Sequence, residues 1–419
     1  MARFLYSLLF TLAQPLVWAR LAWRARQQPE YLHHLGERYG FYTLPPAAPL
    51  IWLHAVSVGE TRAAEPLIKA LLDAYPEHAL LLTHMTPTGR ATGGELIAKY
   101  GQRLLQAYLP YDLPGACARF FAHFQPELGL LMETELWPNL ITTAARRSVP
   151  LALVNARLSA RSQRGYARLA PLIRPALAAL TAVAAQTVAD AERLRAIGAQ
   201  RVSVLGNIKF DVTPAPEKIQ LGRDWRRALA GRPVWLAAST REGEEALILD
   251  AFAALDRPDL LLLFVPRHPQ RFDEVAALLD ARRLPYCRRS TAAFPTAQTR
   301  VWLGDSMGEM PAYFAVADLA LIGGTLLPFG GQNLIEAAAC GCPVLVGPHT
   351  YNFAQATEDA LACGAARRII DAQGAGIAVH ELLNDGPALA AMRTAAAQFS
   401  QAHRGATART LALIREMVA

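Results

Sequence analysis

Three acids and a lysine stand where a side chain could move a proton or steady a developing charge. His54-Ala55-Val56-Ser57-Val58-Gly59-Glu60 closes an apolar run and places Glu60 at the start of a helix. A carboxylate there suits a general base for an incoming hydroxyl, although a first-turn acid is also an ordinary helix feature. Met132-Glu133-Thr134-Glu135-Leu136-Trp137-Pro138-Asn139 sets two acids and an indole after another run. Gly206-Asn207-Ile208-Lys209-Phe210 leads out of the first half of the chain, so Lys209 is expected to point toward a cleft between domains.

A second group suits a nucleoside phosphate. Ile322-Gly323-Gly324-Thr325 is followed by Gly330-Gly331-Gln332-Asn333-Leu334-Ile335-Glu336, an apolar run emptying into a glycine loop with a helix starting near Asn333. Free N–H groups and the positive helix end would meet a phosphate there, and Glu336, one turn in, could accept from ribose hydroxyls. The plainer reading is a tight loop whose glycines only relieve crowding. No G-x-G-x-x-G and no Walker lysine occurs, which weakens dinucleotide and ATP readings. Val265-Pro266-Arg267 offers a guanidinium for a departing phosphate. Ser239 and Thr240 offer hydroxyls, and Asp305-Ser306-Met307-Gly308-Glu309 forms a further polar turn. Any one of these could be a mere cap; convergence on one sheet edge is better explained by a ligand.

Such groups need strands to carry them. The text repeats a short apolar run, a turn, then helical periodicity: Leu50 to Ala55, Leu80 to Thr83, Leu104 to Leu109, Leu128 to Met132, Leu151 to Val154, Val183 to Ala185 and Val202 to Leu205. After the break at Asp211 to Glu217 it restarts with Val234 to Ala238, Leu260 to Val265, Val301 to Leu303, Leu319 to Ile322 and Val344 to Val346. This is α/β text for two doubly wound, Rossmann-like domains of parallel sheet, facing a central cleft, with ligands outside the carboxyl ends of the strands. The expected organisation is a membrane-anchor helix over 1–26, a domain over 27–210, a linker over 211–217, a second domain over 218–400 and a C-terminal helix over 401–419. A linker-like stretch at Pro45, Pro46 and Pro49 precedes the first run.

Composition narrows the class. The 419 residues are 53% hydrophobic and 18% charged, which excludes a disordered chain and leaves room for several cores. The balance of 42 basic to 35 acidic residues gives +7 and favours an acidic partner. Five scattered cysteines without a C-x-x-C pair read as reduced thiols, and the ten histidines show no ligand spacing, so no metal is expected. Phe4 to Ala19 carries no charge and spans roughly 24 Å as a helix, slightly short of a bilayer core. The more basic flank, Arg20, Arg24 and Arg26, follows it, which places the rest of the chain in the cytoplasm. A buried or surface-lying helix kinked near Pro15 is the alternative. Arg157, Arg161, Arg164 and Arg168 are spaced to align on one helix face, suiting lipid head groups or a phosphorylated glycolipid, or simply water. Without interleaved aromatics they argue against nucleic acid.

Gly36-Glu37-Arg38-Tyr39-Gly40, SVGE at 57–60, ETELWPNL at 133–140, NARLS at 155–159, PRHP at 266–269 and the GGT and GGQNLIEAAA segments together resemble the 3-deoxy-D-manno-octulosonic acid (Kdo) transferases of Gram-negative lipopolysaccharide synthesis. The resemblance covers nearly the whole chain. It implies a GT-B glycosyltransferase fold, CMP-Kdo as donor, the acylated and phosphorylated lipid A precursor as acceptor, and a place at the inner face of the inner membrane with no cofactor. It implies that Glu60 is the proton acceptor and that Glu135 and Lys209 stabilise the transition state. Pro266, Arg267, Met307, Gly308, Glu309, Asn333, Leu334, Ile335 and Glu336 resemble the CMP-binding segments, with Ser239, Thr240, Gly324, Thr325 and Gly331 beside them. Gln332 and Ile335 depart from a glycine loop that reads GGHNPLE or GGHNLLE in the family. Two other readings share such a fold: a nucleotide-sugar epimerase, and a membrane-tethered nucleotide-binding protein without catalysis. Product analysis and consumption of CMP-Kdo separate the three.

Overall fold

The computed structural model describes residues 1–45 and 49–418, so Pro46 and Ala419 of the segments above lie outside the described residues. The chain divides into two compact units, Met1–Val212 with Arg404–Ala419, and Thr213–His403.

In the first unit, β1 (Leu50–His54), β2 (Ala79–His84), β3 (Leu104–Tyr108), β4 (Leu128–Met132), β5 (Leu151–Ala156), β6 (Ala182–Ala185) and β7 (Val202–Val204) form one parallel sheet. Its order is β3-β2-β1-β4-β5-β6-β7. Strand residues alternate between two cores, as a sheet covered on both faces requires. Leu50, Trp52, Leu131 and Leu153 pack with Phe120, Phe121 and Ile141 on one side, and Ile51, Leu53, Leu130 and Ala152 pack with Ala64, Leu67 and Ile68 on the other. The chain reverses direction across the sheet between β1 and β4, and this switch point leaves a crevice at the carboxyl ends of those strands. The C-terminal helix Ala406–Val418 belongs here: Ala406 and Ile414 enter the second core, and the Asp211 carboxylate accepts the Gly405 and Thr407 N–H groups at 2.6 Å each.

In the second unit, β8 (Val234–Thr240), β9 (Leu261–Pro266), β10 (Tyr286–Arg288), β11 (Val301–Leu303), β12 (Leu319–Ile322), β13 (Val344–Val346) and β14 (Ala366–Arg368) form another parallel sheet, ordered β10-β11-β9-β8-β12-β13-β14. Its switch point lies between β8 and β12. The edge strands β10 and β14 were not foreseen from sequence: each has three residues and carries arginine, the short polar form that blunts a sheet edge.

The expected single N-terminal helix is two, Ala2–Leu12 and Gln14–Ala25, bent by 47° at Ala13. Pro15 lacks an N–H and its ring crowds the preceding turn, which ends the first helix at Leu12, three residues before it. No single helix among the described residues is long and apolar enough to cross a membrane; the bent pair has that length and composition together. Polar contacts dock the pair on the first unit: Asn139 Nδ2 donates to Ser7 Oγ at 3.0 Å, and Tyr39 Oη donates to Gln14 Oε1 at 2.9 Å. Its other face is bare, with Phe4 74%, Leu12 68% and Leu16 73% exposed.

Candidate active site

The SVGE turn follows β1 and Ser57 opens the helix Val58–Ala74, which makes Glu60 its third residue. Its Oε2 accepts the Val56 N–H at 2.8 Å, closing the turn on itself as a helix-start acid does, and among the described residues none donates a hydrogen bond to Oε1. Burial, then the charge of Glu133 and more weakly that of Glu135, push the Glu60 carboxyl up to about 7 against the Val56 hydrogen bond and Lys209. A base poised at that value is half ionised near neutrality, where general-base catalysis works best.

Glu133 begins the crevice wall after β4. Its φ of 55° is left-handed, a strained setting for a residue with a side chain, and such settings gather at functional sites. The carboxylate is 5% exposed and accepts from Arg157 Nε at 2.8 Å and Lys209 Nζ at 2.7 Å. Burial alone would raise its pKa; Lys209 and Arg157 outweigh burial and hold it below the ordinary carboxylate range. Lys209 and Glu135, to which the resemblance gives the same role, are not paired with each other: the lysine donates to Glu133. Glu135 instead accepts the Trp137 indole N–H at 2.8 Å, and burial lifts its carboxyl to about 7 despite that bond, with the Glu133 charge adding to the rise. Asn155, also left-handed at φ 52°, accepts the Ile208 N–H at 3.1 Å through Oδ1 and so ties the NARLS turn to the one that aims Lys209. Glu133 stands in the sequence only as one of two neighbouring acids; its partners are Arg157, just past the end of β5, and Lys209, 76 positions away.

The four-arginine helix face does not form. β5 continues to Ala156 and Ser159 caps the next helix, Ala160–Arg168, so Arg157 precedes the helix and turns to Glu133. Arg161, Arg164 and Arg168 remain on the helix, all exposed.

The second unit collects its polar residues at its own switch point. Glu244, fully buried at the start of the helix Glu244–Ala253, accepts three backbone N–H groups: Arg241 at 2.9 Å, Gly324 at 2.6 Å and Leu326 at 3.0 Å. The N–H groups expected to be free for a phosphate are thus partly taken, since Gly331 donates to Gly324 O, Gln332 to Gly323 O and Ile335 to the Asn333 side chain. Nothing in the sequence around Glu244 signals its role in holding the loop, because the loop groups it binds lie some 80 positions away. Leu334 and Ile335 are 2% and 1% exposed, so their side chains belong to the core and only their backbone can meet a ligand. Thr240 and Thr325 are buried too; Thr240 O accepts the Arg267 N–H at 3.0 Å, and the Thr325 hydroxyl donates to Ile322 O. Ser239 is left-handed at φ 59°. Arg267 donates from Nε to Gln332 Oε1 at 3.1 Å, which gives the departing glutamine a defined partner. Met307 is 56% exposed beside the left-handed Gly308, while Glu309 accepts from Arg289 at 3.0 Å and from Ser306 at a shorter distance. Asn333, Glu336 and Arg267 keep partial exposure and are the groups best placed to touch a ligand of this unit.

Gly323 is where β12 leaves the sheet. A Cβ there would stand 2.3 Å from Ser239 O, so only glycine lets the two switch-point turns touch. Gly323→Ala is expected to cost about 1–3 kcal/mol by overpacking, read as a lowered melting midpoint.

Two parallel, Rossmann-like units, each carrying its polar residues at the switch point of its sheet, define the GT-B architecture. Its solved relatives include a glycosyltransferase from Rickettsia africae (TM-score 0.61, 13% identity, 90% of this chain and 99% of that one). UDP-GlcNAc 2-epimerase from Neisseria meningitidis bound to UDP-GlcNAc is similar in the same way (TM-score 0.59, 14% identity, 88% of this chain and 100% of that one). At these identities the likeness is one of fold. Residues 33–212 match the family model of 3-deoxy-D-manno-octulosonic-acid transferase (kdotransferase). The 3-deoxy-D-manno-octulosonic acid transferase of Bordetella pertussis is 47% identical over 424 residues, covering 98% of each chain. That of Haemophilus influenzae is 37% identical over 436 residues, covering 99% of this chain and 98% of the relative. The chain belongs to the 3-deoxy-D-manno-octulosonic acid transferase family and is a glycosyltransferase.

Proposed function

We propose that the protein moves Kdo from CMP-Kdo to a hydroxyl of the lipid A precursor with inversion at the anomeric carbon. The observation that carries this reading is Glu60: a carboxylate with an uncommitted oxygen, held near neutral pKa by burial and by Glu133, in a chain nearly half identical to a Kdo transferase. The Glu60 carboxylate takes the acceptor's O–H proton. The freed oxygen pair forms the new bond to the anomeric carbon, and the bond from that carbon to the phosphate oxygen breaks, its electron pair leaving with CMP. Lys209 steadies the sugar carboxylate or the developing charge, and Glu135 its opposite; Arg267 and the Asn333 turn receive the departing phosphate. Phosphate is already a good leaving group, so the scheme needs no general acid, metal or cofactor.

The bare apolar face of the two N-terminal helices and the exposed Arg161, Arg164 and Arg168 support attachment to the cytoplasmic side of the inner membrane, with the helices lying on the surface. The test is incubation of the purified protein with CMP-Kdo and lipid A precursor, followed by mass spectrometry. Gain of mass in whole Kdo units with CMP release is expected; an isomerised nucleotide sugar, or bound and unconsumed CMP-Kdo, overturns the reading.

The acid limb of kcat/KM is a second expectation. With Glu60 and Glu135 both lifted to about 7, the ionised base disappears as pH drops, and kcat/KM is expected to fall about tenfold per pH unit below neutrality. Glu135→Gln removes a charge that raises Glu60, so its limb is expected at lower pH. An unchanged midpoint would show that the limb comes from elsewhere.

A further inference from the structure

A groove of about 380 Å³ opens on the first unit between the helices Ala2–Leu12, Pro114–Phe124 and Pro138–Arg146, lined by Arg3, Ser7, Asn139, Thr143, Arg146 and Arg147. None of these residues enters the chemistry above. Asn139, Thr143 and Arg146 or Arg147 follow one another at helical spacing along one face, and the Ser7 hydroxyl meets the Asn139 amide at the groove's inner end. Among the described residues, neither a carboxylate nor any other acceptor partners the guanidinium of Arg3, Arg146 or Arg147, and no acid lines the groove. A helix C-terminus favours one cation at Arg146. It does not account for three, since like charges gathered at a concavity repel unless an anion sits among them. Phe4, 74% exposed, forms the rim, and the bare face of Leu5, Leu8 and Leu12 continues from it.

We propose that this groove binds the headgroup of an anionic phospholipid, with the phosphodiester held by Arg3, Arg146 and Arg147 and the acyl chains lying along the Phe4 side of the first helix. Guanidinium forks match phosphate oxygens, the hydroxyl and amide groups of Ser7, Asn139 and Thr143 suit a glycerol head, and the volume exceeds what a bare ion fills. The site rests on the proposal that the helices lie on a membrane and adds a specific contact to it, distinct from the exposed arginines of the helix Ala160–Arg168.

The test is co-sedimentation of the full chain with vesicles of phosphatidylcholine alone and with a minority of phosphatidylglycerol. Each basic residue at an anionic surface multiplies binding roughly fivefold, so Arg146→Gln with Arg147→Gln is expected to lower affinity for the phosphatidylglycerol vesicles about 10- to 30-fold and to leave phosphatidylcholine binding unchanged. Thr143→Phe fills the groove without altering charge and is expected to lose the phosphatidylglycerol preference as well, with the fold checked by its melting midpoint. If Thr143→Phe keeps the full preference, the attraction is diffuse electrostatics and the site is overturned. Release of the wild-type protein by millimolar inorganic phosphate overturns it in favour of an ion site. If the wild type binds neither vesicle, the membrane reading itself fails and the headgroup site with it.

Discussion

Glu60→Gln is expected to lower kcat by about 10²–10⁴-fold, the usual contribution of a positioned general base, with the fold intact. The amide is nearly isosteric and its oxygen can still accept the Val56 N–H that the carboxylate accepts at 2.8 Å, so the turn after β1 survives. What it cannot do is take a proton. Stability supplies an independent check. A carboxyl raised to about 7 in the folded state favours the folded form when protonated, and that advantage is lost as pH rises from the ordinary carboxylate range through 7. Glu60→Gln has no such loss, so its melting midpoint relative to wild type is expected to be higher at pH 8 than at pH 4. Turnover close to wild type in a folded Glu60→Gln protein would remove the residue from the chemistry.

Glu133→Gln is expected to have the largest combined effect. Lys209 is only 16% exposed on its side chain and Arg157 shares the same carboxylate, so removing the charge takes an anionic partner from a mostly buried lysine and from the arginine beside it. Breaking one side of such a pair costs about 3–5 kcal/mol, where a surface pair would cost little. The wild-type pair contributes stability above the unfolded carboxylate pKa, and because Glu133 is held below its ordinary range the contribution goes only in more acid solution. The difference between the two proteins is therefore expected to be large at pH 7 and to shrink as the wild type is acidified. Activity is expected to fall about 10²–10³-fold through a displaced Lys209. The remaining acid limb is expected at lower pH, because the repulsion that raises Glu60 has gone. A double variant, Glu133→Gln with Lys209→Met, is expected to recover much of the stability and none of the activity, separating the structural loss from the chemical one. Equal stability of Glu133→Gln and wild type at pH 7 would show that the lysine does not depend on this carboxylate.

The strands that carry the site were readable because each central one is a continuous apolar run bounded by turn residues, the mark of a strand buried on both faces: Leu128–Met132 and Leu319–Ile322 match their expected limits. β10 and β14 were missed for the converse reason. Edge strands of three residues, with Cys287, Arg288, Arg367 and Arg368 in them, are held by pairing with a neighbour and leave no pattern of their own. The helical stretch at the chain's end was legible as helix, yet its place was not: Ile414 packs beside Leu67 and Leu71 through contacts more than 300 positions apart in sequence.

By itself the amino-acid order determined the α/β class, the two parallel sheets and the residues at the carboxyl ends of their strands, because period, run length and turn chemistry act over a few neighbouring positions. Which of those residues meet was decided by the tertiary structure. Lys209 goes to Glu133 and leaves Glu135 to Trp137; Arg157 leaves its helix for the same carboxylate; Glu244 takes the glycine loop's N–H groups. Burial sets the cost of each unpaired charge, and burial exists only once strands distant in sequence lie side by side.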